Sequence, residues 1–273
     1  MAFFKYAPPE RVNLLEVLKI RFTPGDEFND PFEITPSARF MENPEYFDRF
    51  VTRCANQQAS REVADSKILR EEREERITEL RAKLGSDFKG NLIGIKGVAL
   101  SAMRTRFGDY RILCLSRVHP EDPAGLLLWA HYTVGHTGLV FEFNEGHEWI
   151  RAHDSRSHDL RDMGEVEYRT ERPLLEGSAV RRNCYLAKSK HWDYENEYRL
   201  VRSSSDQELD SHSLASIPSS LIISVTLGAD MAPEVYEKLM RILNGNPALA
   251  HVKVYQGELH VDEYKVTRSL LHP

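Results

Sequence analysis

Short apolar runs and helix-forming stretches alternate along this chain without a fixed period, and that irregularity limits its fold more than any other feature. Strand-like runs stand at Phe3 to Tyr6, Ile20 to Thr23, Tyr110 to Ser116, Gly138 to Phe143, Val166 to Tyr168, Leu221 to Leu227, His251 to Gln256 and Tyr264 to Thr267. Helical patterns fall at Val12 to Lys19, Asp122 to Tyr132, Gly177 to Lys188 and Pro233 to Leu243. A doubly wound sheet needs a regular strand-helix-strand repeat, which is missing, so an α+β fold is expected. The 273 residues can bury a core without metal or disulfide support, and they are expected to form a single domain, 1–273.

One stretch stands apart. From Glu42 to Leu84 the chain is helical by propensity, and Arg61 to Lys83 is dominated by Glu and Arg. Val63, Ile68, Ile77, Leu80 and Leu84 form a thin apolar stripe, and Glu72 with Arg76 and Glu79 with Lys83 are spaced as helical ion pairs. This reads as a helical insertion at about 42–84, an arm or hairpin that Gly85 closes, with Gly90, Gly94 and Gly97 behind it.

A formal net charge of −6 argues against a general nucleic-acid coat. Cys54, Cys114 and Cys184 are odd in number and far apart, so neither a disulfide framework nor a thiolate zinc site is expected. No apolar run approaches a membrane span, and the first residues turn polar too soon for a signal peptide, so a cytoplasmic protein is expected. The Gly-rich phosphate loops of P-loop and Rossmann sites are absent. His131 and His136 are five apart, which does not place both on one helix face, and no metal is expected.

The segment His191 to Leu200 carries the densest chemistry. Read as a strand, it puts Glu195, Glu197 and Arg199 on one face and Tyr194, Asn196, Tyr198 and Leu200 on the other. Two carboxylates and a guanidinium in a row can orient a hydroxylated substrate or stabilise a developing cation, or they can simply form a solvated face. Trp129, His131 and Tyr132, at the end of an apolar helix before Gly135-His136-Thr137-Gly138, read either as a pocket lining or as core. Asn29 and Asp30, between Phe28 and Phe32, read as a ligand-facing turn or as a capped one.

Phe4-Lys5-Tyr6, Phe28 to Glu33, Cys114-Leu115-Ser116, Trp129 to Tyr132 with His136-Thr137-Gly138, and Trp192 to Arg199 together resemble the bacterial family called domain of unknown function 2971, over nearly the whole chain. A second likeness is to ADP-ribosyltransferases. It places Lys5 and Tyr6 at the first element, where the usual residue is His or Arg, His131 and Tyr132 at the middle one, and Glu195-x-Glu197 at the late carboxylate motif.

That likeness implies a split mixed sheet with flanking helices, and NAD as substrate, in a toxin or defence effector acting on a small-molecule nucleotide with a protein or nucleic-acid acceptor. Glu197 would stabilise a ribosyl cation while Glu195 steers the acceptor. Tyr132 and Trp129 would stack on nicotinamide, and Arg21 or Arg199 would hold pyrophosphate, with Lys5, Tyr6, Asn29 and Asp30 completing the cofactor site. Two alternatives remain open: a non-catalytic nucleotide- or partner-binding module, and a metal-dependent nuclease built on Asp30, Glu33, Glu142 and the two glutamates.

Overall fold

The computed structural model describes residues 2–35, 37, 44–65, 67–90, 109–154, 161–173 and 180–272. The glycines at 94, 97 and 177 and the first two residues of the expected helical insertion, 42 and 43, lie outside them. The fold is mixed α and β, with a large mixed sheet and flanking helices. The chain divides into two compact units: residues 1–31, 108–170 and 186–273 form the first, and 32–107 with 171–185 the second.

The first unit contains the sheet. Its strands are β1 (Ala2–Ala7), β2 (Lys19–Arg21), β3 (Thr23–Pro24), β4 (Tyr110–Ser116), β5 (Leu139–Asn144), β6 (Arg161–Glu165), β7 (Glu167–Arg169), β8 (Ala187–Ser189), β9 (Glu197–Ser203), β10 (Leu214–Ser216), β11 (Ile222–Leu227), β12 (Lys253–Leu259) and β13 (Val266–His272). Hydrogen bonding runs unbroken in the order β13-β12-β11-β5-β1-β4-β9-β6, with β3 also on β4. Among the described residues, only the β11–β12 pair in this sheet is parallel. The pairs β10–β2 and β7–β8 form two small sheets of their own.

Alternation along β1 divides the core. Phe3 and Ala7 join Leu113, Leu115, Phe141, Phe143, Leu200 and Val225 in the larger apolar cluster, which also holds Leu14 and Leu15 of helix α1 (Asn13–Val17) and extends to Leu239 and Leu243 on a later helix, Pro233–Gly245. Phe4 and Tyr6 point the other way and pack with Leu128, Trp129, Val140 and Val266. The central strands are therefore buried on both faces, and a charged residue on one of them must find its partners inside the protein.

The second unit holds helices α2 (Pro44–Ala64), α3 (Arg73–Gly90) and a short one at Val180–Tyr185. The expected insertion is thus a hairpin of two helices, and Gly85 lies inside the second rather than closing it. Ala55 and Ala59 let α2 approach Ile77 and Leu80 of α3, with Leu84 against them, so the α3 part of the thin stripe is used helix against helix. The expected pairs are replaced. Arg76 bonds Glu62 across the hairpin at 2.8 Å and Glu79 at 2.9 Å, while Glu72 caps the backbone N–H of Leu69. Across a hairpin, contacts between helices compete with spacing along one helix, and Arg76 makes one bond of each kind.

Candidate functional site: a buried ionic network under an aromatic rim

Helix α4 (Gly125–Tyr132) begins after an Asx turn in which Asp122 Oδ1 accepts from the Ala124 N–H at 2.9 Å. Its last two residues, His131 and Tyr132, face the segment just before β9. The segment before β9 is not the strand its alternation suggests. Lys190–Glu195 forms a 3-10 turn, and Asn196 takes a left-handed conformation with φ of 41°, which Asn tolerates better than most residues. Glu195 therefore ends a turn, and only Glu197 begins the strand.

The two carboxylates meet at Lys188, which was expected at the end of a helix but lies on the three-residue strand β8. Its Nζ donates to Glu195 Oε2 at 2.6 Å and to Glu197 Oε2 at 3.2 Å. Arg199 Nε donates to Glu197 Oε1 at 2.7 Å, and its Nη2 to Oε2 at 3.1 Å. Tyr132 Oη donates to Glu195 Oε1 at 2.5 Å. Lys188, Glu195, Glu197 and Arg199 are all buried. Backbone contacts fix the arrangement: Ser116 Oγ donates to the Glu195 carbonyl at 2.5 Å, and the Glu197 N–H donates to Tyr168 Oη at 2.7 Å.

The carboxyls are driven in opposite directions. Burial raises Glu195 above the usual carboxylate range and the charge of Glu197 adds to this, against the pull of Lys188. Burial would raise Glu197 too, but Arg199 and Lys188 at hydrogen-bond distance, with the Cys114 thiol, hold it down. Tyr132 and Tyr168 are pushed above the ordinary phenol range, chiefly by burial. For the half-buried Tyr194 the same cause gives about 12.

Three rings border this network. Trp192 lies over Lys188 Nζ, 5.0 Å from its centroid, and its Nε1 donates to Asp30 Oδ2 at 2.9 Å. His131 Nδ1 and Tyr194 Oη are 3.1 Å apart, and the centroid of the His131 ring is 6.2 Å from Trp192 and 6.3 Å from Tyr194. His131 is exposed, while Trp192 and Tyr194 are half-buried. This arrangement can present ring faces to a planar ligand, with a carboxyl of raised proton affinity behind them.

The residues singled out from sequence separate into two groups. Tyr132, Glu195, Glu197 and Arg199 form the network, with His131 and Asp30 at its rim through Tyr194 and Trp192. The others lie elsewhere. Trp129 is fully buried, donates from Nε1 to the Pro120 carbonyl at 3.0 Å and stacks on His136, so it is core. Tyr6 Oη donates to the Val118 carbonyl at 3.1 Å, and the Tyr6 ring meets Trp129 edge-on. Lys5 shares the Phe3 face of β1, opposite to the face that carries Ser116 and Glu197, and donates to the Cys114 carbonyl at 3.0 Å. Arg21 pairs with Glu27 at 2.5 Å, and Asn29 is exposed.

Gly138 serves packing rather than a pocket, since a Cβ there would sit 2.2 Å from the Ala7 carbonyl oxygen. The nuclease residues are otherwise engaged. Glu142 Oε2 accepts from Ser224 Oγ at 2.5 Å, and among the described residues no group of three or more His, Cys, Asp or Glu could hold a metal ion. Sequence reading missed Lys188, Trp192, Tyr194 and Tyr168 as site residues. For Trp192 and Tyr194 the signal was their place beside the glutamates. For Lys188 none exists in so short a strand.

Comparisons with family models, with curated proteins and with solved structures give no match to this chain. No described helix is long and apolar enough to cross a membrane.

Proposed function

We propose that this protein is a glycosyl-transfer enzyme of the ADP-ribosyl type, cleaving the nicotinamide–ribose bond of NAD or a related nucleotide and passing the ribosyl group to an acceptor. The observation that carries this reading is the pair of glutamates bound to one ammonium, with Glu195 raised and Glu197 lowered in proton affinity. Carboxyls pushed apart in this way divide the work: one stays ionised while the other exchanges a proton.

In the reaction the C–N bond breaks and its electron pair leaves with nicotinamide. A cation is left on the ribose, and the acceptor's lone pair forms the new bond while its proton passes to a base. Glu195 fits the base better than Glu197, because it adjoins the half-buried Tyr132 and Tyr194, whereas Glu197 is enclosed by Arg199, Lys188 and Cys114. This exchanges the roles expected from the sequence. Glu197 then supplies a fixed negative charge, and His131, Trp192 and Tyr194 supply ring faces for the base.

Membership in the domain of unknown function 2971 family, the cytoplasmic toxin or defence role, and a protein or nucleic-acid acceptor are part of the same proposal. The unbroken path of the main sheet counts against the split sheet of ADP-ribosyltransferases, so the site carries the reading and the fold does not.

The test is nicotinamide release from NAD, with Glu195→Gln as the variant. A fall on the order of a hundredfold or more, with the circular dichroism spectrum unchanged, is expected. The second reading, a nucleotide-binding module without turnover, is favoured by the fact that all four oxygens of the two carboxylates already have partners. Calorimetric binding of NAD without nicotinamide release, in wild type and variant alike, would establish that reading instead.

A further inference from the structure

We infer that Lys188 is a positioning residue, whose ammonium holds Glu195 and Glu197 at one point and keeps the Glu195 carboxyl turned toward Tyr132 and the aromatic rim. This rests on the reading of Glu195 as the reacting carboxyl. The two glutamates come from different elements, Glu195 from the turn at 190–195 and Glu197 from β9, and the left-handed Asn196 between them lets both point to one place. Lys188 reaches both from a third, β8, at 2.6 and 3.2 Å.

Its own position is fixed from two sides. Strand β8 pairs in parallel with β7, Lys188 opposite Tyr168, and Tyr168 Oη accepts from the Glu197 backbone N–H. Above the ammonium lies the Trp192 ring, pinned by Asp30. Swinging Lys188 away would leave two buried carboxylates with one cation between them, an arrangement that burial penalises heavily.

The titratable and charged groups around Glu195 come from five elements: Tyr132 of α4, Tyr168 of β7, Lys188 of β8, Tyr194 of the turn, and Glu197 with Arg199 of β9. Arg199 is committed to Glu197 through two hydrogen bonds. Lys188 is therefore the cation whose removal bears most directly on Glu195. When Glu195 gains a proton, the Lys188 bond to it weakens and Glu197 remains as the anchor, so the carboxyl can return to the same place after the proton leaves. A lysine that merely filled space would not influence when Glu195 titrates.

The experiment is a carboxyl-carbon NMR titration of the full-length protein labelled at glutamate, with Glu195→Gln used to assign the Glu195 signal. In Lys188→Met the Glu195 midpoint should rise by ~1 pH unit or more, since an opposite charge within bonding distance has been removed. Lys188→Arg, which keeps the charge, should stay closer to wild type. Should Lys188→Met fail to fold, Glu197→Gln decides the matter: removing the neighbouring anion should lower the Glu195 midpoint. Midpoints unmoved by either variant would overturn the inference. The titration needs no substrate, so it stands or falls separately from NAD cleavage. Where nicotinamide release is measured, Lys188→Met should displace the pH optimum and Lys188→Arg should restore it.

Discussion

Strand β9 carries a charged cluster near each end, both largely buried though Glu208 of the second is exposed, and the two are built to opposite effect. At its start, Lys188 and Arg199 face Glu195 and Glu197, whose proton affinities diverge. Toward its other end, on the opposite face, Arg202 and Arg161 face Asp206 and Glu208. Arg161 Nε bonds Asp206 Oδ2 at 2.8 Å, and Arg161 Nη2 bonds Glu208 Oε2 at 2.7 Å.

In this second cluster both carboxyls are lowered together. Asp206 is held down against its burial by Arg161 and Arg202, and Glu208 chiefly by its bond to Arg161. The Arg202 guanidinium lies 4.9 Å from the Phe22 centroid and 5.6 Å from that of Trp149, and its Nε donates to His153 Nε2 at 2.9 Å. That cluster is dressed as core. Buried charge alone therefore does not mark a site; the mark is a pair of like groups held in unlike states beside half-exposed rings.

Neutralising one acid in each cluster separates the two most clearly. Asp206→Asn removes the carboxylate shared by two buried guanidinium groups and should cost ~3–5 kcal/mol, read as a lower urea midpoint. Glu195→Gln replaces a carboxyl that burial already drives toward its neutral form, and should cost only ~1 kcal/mol while removing the proposed activity. Equal losses in the two variants would erase the distinction.

A second effect is pH dependence. His153 is fully buried and is pushed down to about 3, mainly by burial and then by Arg202 and Arg161. The folded protein keeps it neutral while the unfolded chain protonates it below its ordinary value of 6.5. Stability should therefore fall as pH drops from 6.5 toward 3 and level off below that. Urea midpoints taken across this range should show a shallower slope for His153→Gln, which keeps an acceptor for Arg202 and does not titrate.

The smallest effect belongs to the helical hairpin. Arg81 pairs with Asp48 at 2.9 Å on a surface where both side chains are largely solvated. Arg81→Ala should cost a few tenths of a kcal/mol at most, and less still at high salt.

Long apolar runs were legible from sequence. Tyr110 to Ser116 forms the strand its composition indicates, and the helix expected at Pro233 to Leu243 extends two residues beyond it. Short elements were legible only in part: the three-residue strands β2 and β7 overlap the runs expected at Ile20 to Thr23 and Val166 to Tyr168, whereas β8 was missed. A three-residue strand such as β8 has no measurable period, so Lys188 was assigned to the preceding helical pattern. The alternation through His191 to Leu200 suggested one strand because polar and aromatic residues happened to alternate, whereas the chain turns at Asn196. Trp129 showed the converse problem: an aromatic residue beside His and Tyr looks the same in sequence whether it lines a cleft or fills the core, and only the Pro120 carbonyl decides.

Asn196 also separates spacing in sequence from distance in space. Had the chain stayed extended there, Glu195 and Glu197 would project from one strand face in parallel, each with its own neighbours, and a cation would serve one or the other. The left-handed residue between them turns neighbours along the chain into convergent ligands of a single ammonium. The Glu-x-Glu pattern here is thus a bent chelate, and its chemistry depends on the backbone angle of the residue that carries no charge.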